Sequence, residues 1–106
     1  MTDEFVAAIV FDLLPASFEG VSREAAQFAQ SATPRISGLI EIALLGNEGR
    51  TRILVLSRWQ SKDAWAESRW DQELGKTMVT LVQSSTAFNS ETFVPIAIDF
   101  KNPPST

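Results

Sequence analysis

A chain of 106 residues and 11.7 kDa, 44% apolar and 21% charged, with five Gly and five Pro, has the length and composition of one globular domain spanning residues 1–106. Thirteen acidic against nine basic residues leave a net charge of −4 and a pI near 4.7, with no cluster of Lys or Arg, which argues against a nucleic-acid partner. The absence of Cys and His excludes disulfides, thiolate nucleophiles, Ser-His-Asp triads and His-ligated metal or haem, and a second identical copy could not supply them.

Met1-Thr2-Asp3-Glu4 is acidic where a signal peptide needs positive charge, and the longest apolar run, Phe5 to Phe11, is far short of the roughly 20 residues of a membrane span. A cytoplasmic protein with no membrane partner is expected. Phe5 to Leu14 is almost continuously apolar and rich in β-branched residues before Pro15, the pattern of a central strand covered on both faces. Ser22 is a candidate N-cap for a helix with Glu24 in its first turn. Ala25, Phe28, Ala29 and Ala32 then recur at helical spacing until Pro34 interrupts.

Gly38 opens a second strand, Leu39 to Leu45, and Gly46-Asn47-Glu48-Gly49 reads as a hairpin turn into a third, Thr51 to Trp59. Ser61-Lys62-Asp63 supplies an N-cap and an acidic first turn for a helix from Ala64 to about Gln83, with Gly75 as a candidate kink. Ser84 to Ser90 reads as a polar connection, Thr92 to Phe100 as a fourth strand, and 101–106 as a tail beyond a core of 5–100.

The order β-α-β-β-α-β predicts an α+β, ferredoxin-like subunit whose antiparallel sheet carries both helices on one face. In the third strand Ile53, Val55, Ser57 and Trp59 alternate with Leu54 and Leu56, so both faces are apolar and the helices can cover only one. A chain of this size also buries only about two-thirds of its unfolded surface. A homodimer closing two such sheets into an α+β barrel is the expected assembly.

The run Ile53-Leu54-Val55-Leu56-Ser57-Arg58-Trp59-Gln60-Ser61-Lys62-Asp63-Ala64-Trp65 resembles the signature of the antibiotic biosynthesis monooxygenases, a family of dimeric α/β barrels. Trp59, Ser61, Ala64 and Trp65 occupy its characteristic places. The resemblance implies oxygenation of a small aromatic or polyketide-like molecule in a pocket between sheet and helices, often with no cofactor because the substrate anion itself reduces dioxygen. In the family's quinone-forming branch the pocket is lined by an Asn, the strand-end Trp, a Tyr and an Arg. The corresponding positions here are Val55, Trp59, Trp65 and a place near Val79, so only the Trp is kept. The haem-degrading branch uses a His, which this chain lacks.

On that resemblance Trp59 and Trp65 stack on the substrate, with Val55, Ser57, Phe28 and Met78 completing the binding surface; the competing reading makes Trp59 ordinary core. Trp65 and Trp70 lie five residues apart, roughly 140° around a helix, so one regular helix cannot aim both at one pocket. Asp12, interrupting the most apolar stretch, is the candidate base and Arg58 the candidate anion stabiliser, or the two form an ion pair at neighbouring ends of parallel first and third strands. Glu41 reads as an edge-strand charge. No phosphate cradle or carboxylate cluster with metal spacing is visible, so no cofactor is expected. The alternative function is a non-catalytic dimeric module that binds a ligand or merely assembles, keeping its tryptophans for packing, with Phe28, Met78 and Leu81 filling the space between sheet and helices.

Overall fold

The computed structural model describes residues 4–96. Four strands, β1 (Phe5–Asp12), β2 (Leu39–Gly46), β3 (Arg52–Trp59) and β4 (Ala87–Phe93), form one antiparallel sheet in the order β2-β3-β1-β4. The helices are α1 (Pro15–Arg35), α2 (Lys62–Glu67) and α3 (Gln72–Ser84), with a 3-10 turn at Ser68–Trp70 between the last two. The architecture is the expected α+β ferredoxin-like one, with β3 inserted between β1 and β2 and α1 crossing over it. Among the described residues no helix is long and apolar enough to cross a membrane.

Several boundaries differ from the sequence expectation, each for a local reason. β1 ends at Asp12, and α1 begins at Pro15, well before Ser22. Proline lacks an N–H that the first helical turn would leave unpaired, so Pro15 starts the helix as well as ending the strand. The buried stripe of α1, Val21, Ala25 and Ala32, extends the expected spacing backward by one turn, and the helix ends one residue after Pro34.

The single helix expected over 64–83 is broken at Asp71 rather than at Gly75. Asp71 has extended backbone and its carboxylate accepts the Leu74 N–H at 2.8 Å, so it caps α3, while Gly75 lies inside that helix. Ser61 caps α2 as expected, accepting the Ala64 N–H at 3.1 Å. β4 occupies Ala87–Phe93, so Phe88, Asn89 and Ser90 belong to a strand and not to a connection. Ile96 is fully exposed beyond it, and Ile98 and Phe100 of the expected fourth strand lie outside the described residues.

The hairpin between β2 and β3 forms where expected. Asn47 Oδ1 accepts the N–H groups of both Thr51 and Arg52 at 2.9 Å, and the left-handed position is taken by Arg50, at φ 58°, rather than by a glycine. Gly38 does carry positive φ, 82°, and a Cβ built there would sit 2.4 Å from the Ala64 side chain, so this glycine sets how closely α2 approaches the start of β2.

β1 and β3 are antiparallel, which corrects the expectation of parallel strands: Phe5 lies opposite Trp59, and Asp12 opposite Arg52. Side chains alternate across the sheet. Phe5, Ala7, Ile9 and Phe11 therefore share the helix side with Ile53, Val55, Ser57 and Trp59, whereas Val6, Val10, Leu54 and Leu56 occupy the face without helices. Two buried clusters hold the helices to the sheet. One gathers Phe11, Leu13, Val21, Ala25, Ile53 and Leu81; the other gathers Phe5, Ala32, Ile36, Leu39 and Trp59.

Candidate functional site

Between the two clusters the sheet and helices enclose a partly open cavity of about 190 Å³. Its floor is Ala7 and Ile9 of β1, Leu39, Ile42 and Leu44 of β2, and Val55, Ser57 and Trp59 of β3; α1 contributes Ala25 and Phe28, and the chain from Trp65 to Leu81 forms its remaining wall. Period-two alternation in β3 places Val55, Ser57 and Trp59 there together, and helical spacing in α3 brings in Leu74, Thr77, Met78 and Leu81. All six residues expected at a pocket face, Val55, Ser57, Trp59, Trp65, Phe28 and Met78, line this one cavity. Phe28, Met78 and Leu81 border the space and leave it unfilled, which argues against a packed assembly module and not against a ligand-binding one.

Trp59 is both core and wall. Its side chain is 4% exposed, packed in the cluster with Phe5 and Leu39, and its indole Nε1 donates to Ser57 Oγ at 2.9 Å. The Ser57 hydroxyl in turn reaches the Ala7 carbonyl only at 3.4 Å. Trp65 stacks obliquely on Phe5, ring centroids 5.1 Å apart. The break before α3 settles which tryptophan faces inward: Trp65 lines the cavity, and Trp70 is 72% exposed with the Arg69 guanidinium 5.1 Å from its ring.

The wall is tied down by an ion pair. Arg35, at the end of α1, hydrogen-bonds Asp71, the cap of α3, and that hydrogen bond holds the Asp71 carboxyl below the usual carboxylate range. Ser68, buried beside the cavity, donates its hydroxyl to the Trp65 carbonyl at 2.5 Å.

Asp12 and Arg58 are not part of the site, and they do not pair with each other. Both point to the face of the sheet away from the helices, since each is one residue out of phase with the lining positions of its strand. They also sit at opposite ends: Asp12 is seven residues from the Phe5 that faces Trp59, roughly 23 Å along a strand at about 3.3 Å per residue. Asp12 instead accepts Arg52 Nε at 2.8 Å. Arg58, 15% exposed, donates from Nη1 to Glu41 at 2.9 Å, and its Nε lies 3.1 Å from Glu4 without being aimed at it for a hydrogen bond. Glu41 is on the edge strand β2, as expected, opposite Arg58 across a bulge.

Among the described residues no charged side chain lines the cavity; its polar members are Ser57, Ser68, Thr77 and the indole of Trp59. Sequence reading did not single out the backing provided by Ile36, Leu39, Ile42 and Leu74, although each belongs to an apolar run adjoining a strand or on one helix face.

The arrangement defines a class, an α+β subunit with an apolar cavity between an antiparallel sheet and its helices. Within that class it has the antibiotic biosynthesis monooxygenase fold. A mutant of SnoaB, a cofactor-independent oxygenase from Streptomyces nogalater, superimposes with a TM-score of 0.71 at 22% identity, over 92% of this chain and 97% of SnoaB. A Nitrosomonas europaea protein assigned to the antibiotic biosynthesis monooxygenases gives a TM-score of 0.79 at 9% identity, over 91% and 93% of the two chains. Rv0793 from Mycobacterium tuberculosis gives 0.77 at 12% identity, over 90% and 97%. No protein-family profile matches the sequence, and no curated protein matches it.

Proposed function

We propose that the chain binds a small, flat, uncharged aromatic molecule in this cavity and oxygenates it with dioxygen, the substrate supplying the electrons. The carrying observation is the apolar cavity walled by Trp59, Trp65, Val55 and Phe28 at the place the signature residues mark. SnoaB, with the same fold, is a cofactor-independent oxygenase, which supports the choice of reaction. An apolar cavity of about 150 Å³ accepts benzene, so about 190 Å³ suits one or two rings, with larger substrates projecting through the opening.

In a reaction of this class an activated ring methylene becomes a carbonyl. One oxygen atom stays on carbon, and the two hydrogens leave with the other as water. The chain's part is to orient the ring between the tryptophans and the α3 side chains and to keep bulk water from it. With no carboxylate among the described residues of the lining, proton removal falls to water or to the substrate's own acidity and not to Asp12. The same uncharged lining favours a second reading, a binding module without chemistry.

We also propose that a second copy covers the open face of the sheet. Val6, Val10, Leu54, Leu56, Leu45 and Phe93 give that face an apolar centre, with Asp12–Arg52 at one end and Arg58 with its two glutamates at the other.

Oxygen uptake by chelator-treated protein, titrated with hydroxylated naphthalenes and anthrones, tests the activity. Uptake should require substrate and fall at least about tenfold in Met78→Trp, which fills the cavity. Binding of these compounds with no uptake by any of them would leave the module reading standing.

A further inference from the structure

The hydrogen bonds around Ser57 point to a specific recognition element. Ser57 Oγ accepts the Trp59 indole N–H at 2.9 Å, so one lone pair is engaged and the hydroxyl is held at the cavity floor. Among the described residues its own proton reaches the Ala7 carbonyl at 3.4 Å, beyond the 2.5–3.0 Å range of ordinary O–H···O bonds. Of the other two hydroxyls of the lining, that of buried Ser68 is engaged with the Trp65 carbonyl at 2.5 Å, and that of Thr77 belongs to the α3 wall and not to the floor. Ser57 therefore presents a donor with a weak internal partner, backed by an indole whose N–H polarises it. Among the described residues no charged side chain lines the cavity around it, so a ligand carboxylate would lose its hydration without compensation.

We propose that Ser57 is the specificity-determining residue of the cavity, donating its hydroxyl proton to a carbonyl or hydroxyl oxygen on an uncharged ring, with Trp59 as the positioning residue that orients it. Val55, two residues earlier on the same strand face, supplies only apolar contact, so the strand has one polar anchor and it is the serine. This rests on the reading of the cavity as an aromatic-binding site and adds the chemical group that the site selects.

Calorimetric titration separates the two. Tetralin and 1-tetralone have the same two-ring frame and differ in one acceptor oxygen, and 1-naphthoate adds a charge. The wild-type chain should bind tetralone about tenfold more tightly than tetralin, the worth of one hydrogen bond in a dry site, and should bind naphthoate more weakly than either. Ser57→Ala should bring tetralone and tetralin within about twofold of each other, and continued binding of tetralin reports that the cavity is still formed. Persistence of the tenfold preference in Ser57→Ala, or naphthoate binding as tight as tetralone, overturns the assignment of Ser57 with the site itself intact. Failure of wild type to bind even tetralin overturns the aromatic-binding reading and this inference with it.

Discussion

At the scale of single residues, phase within a strand decides which side chains share a site. Asp12→Asn should leave binding of ring compounds unchanged within about twofold, because the carboxylate faces away from the cavity and pairs with exposed Arg52, a pair worth at most about 1 kcal/mol. A loss of affinity above about tenfold, measured by the same titration, would contradict that placement. Trp59→Ala removes an indole that is buried as well as lining, so it should cost about 3–5 kcal/mol in urea denaturation, whether or not substrate is present. The six lining residues were legible because they follow from alternation, helical spacing and the signature run. Asp12 and Arg58 were misplaced although the same alternation applied: Arg58 adjoins Trp59 in one strand and so belongs to the other face. What the sequence could not show was partner choice, since Arg52, Glu41 and Glu4 become neighbours only once the register is set.

At the scale of elements, capping and close approach shape the wall of the cavity. Asp71 ends the 3-10 turn, caps α3 and holds Arg35, so Asp71→Ala should lower stability by about 1 kcal/mol from the cap alone. Its folded-state pKa lies below the unfolded one, so its contribution is complete above about pH 4, the ordinary carboxylate value, and is lost as the pH falls below that toward the folded value. Asp71→Asn, which can still cap, should therefore show a shallower loss of stability than wild type between neutral pH and about pH 3; equal slopes in urea denaturation would rule out the ion pair as the cause. Gly38→Ala combines a left-handed backbone with a clash against Ala64, and it should destabilise by about 2 kcal/mol or more. The hairpin and the Ser61 cap were legible because their signals are local. The start of α1 was not, because Pro15 is equally a strand terminator and a first helical residue. The break at Asp71 hid within a stretch of helical composition whose glycine, Gly75, is harmless inside α3.

At the scale of the whole molecule, the order of strands and helices and the antiparallel sheet followed from the sequence, while the relative direction of the first and third strands, read as parallel, was corrected by the structure. A helix between β1 and β2 with β3 inserted between them makes β1 and β3 antiparallel, and that one relation puts Asp12 and Arg58 at opposite ends of the sheet. The open face predicts self-association: sedimentation should give a dimer, and Leu56→Glu, directed away from the cavity, should give a monomer. A wild-type monomer at micromolar concentration would remove that proposal without touching the cavity. If the space between sheet and helices receives an aromatic ring, a crystal structure of the chain grown with 1-tetralone will show it there. The two-ring frame should lie between Trp59, Trp65 and Met78, with its oxygen within hydrogen-bonding distance of Ser57 Oγ. Occupancy elsewhere on the molecule, with the cavity closed by its own side chains, would contradict it.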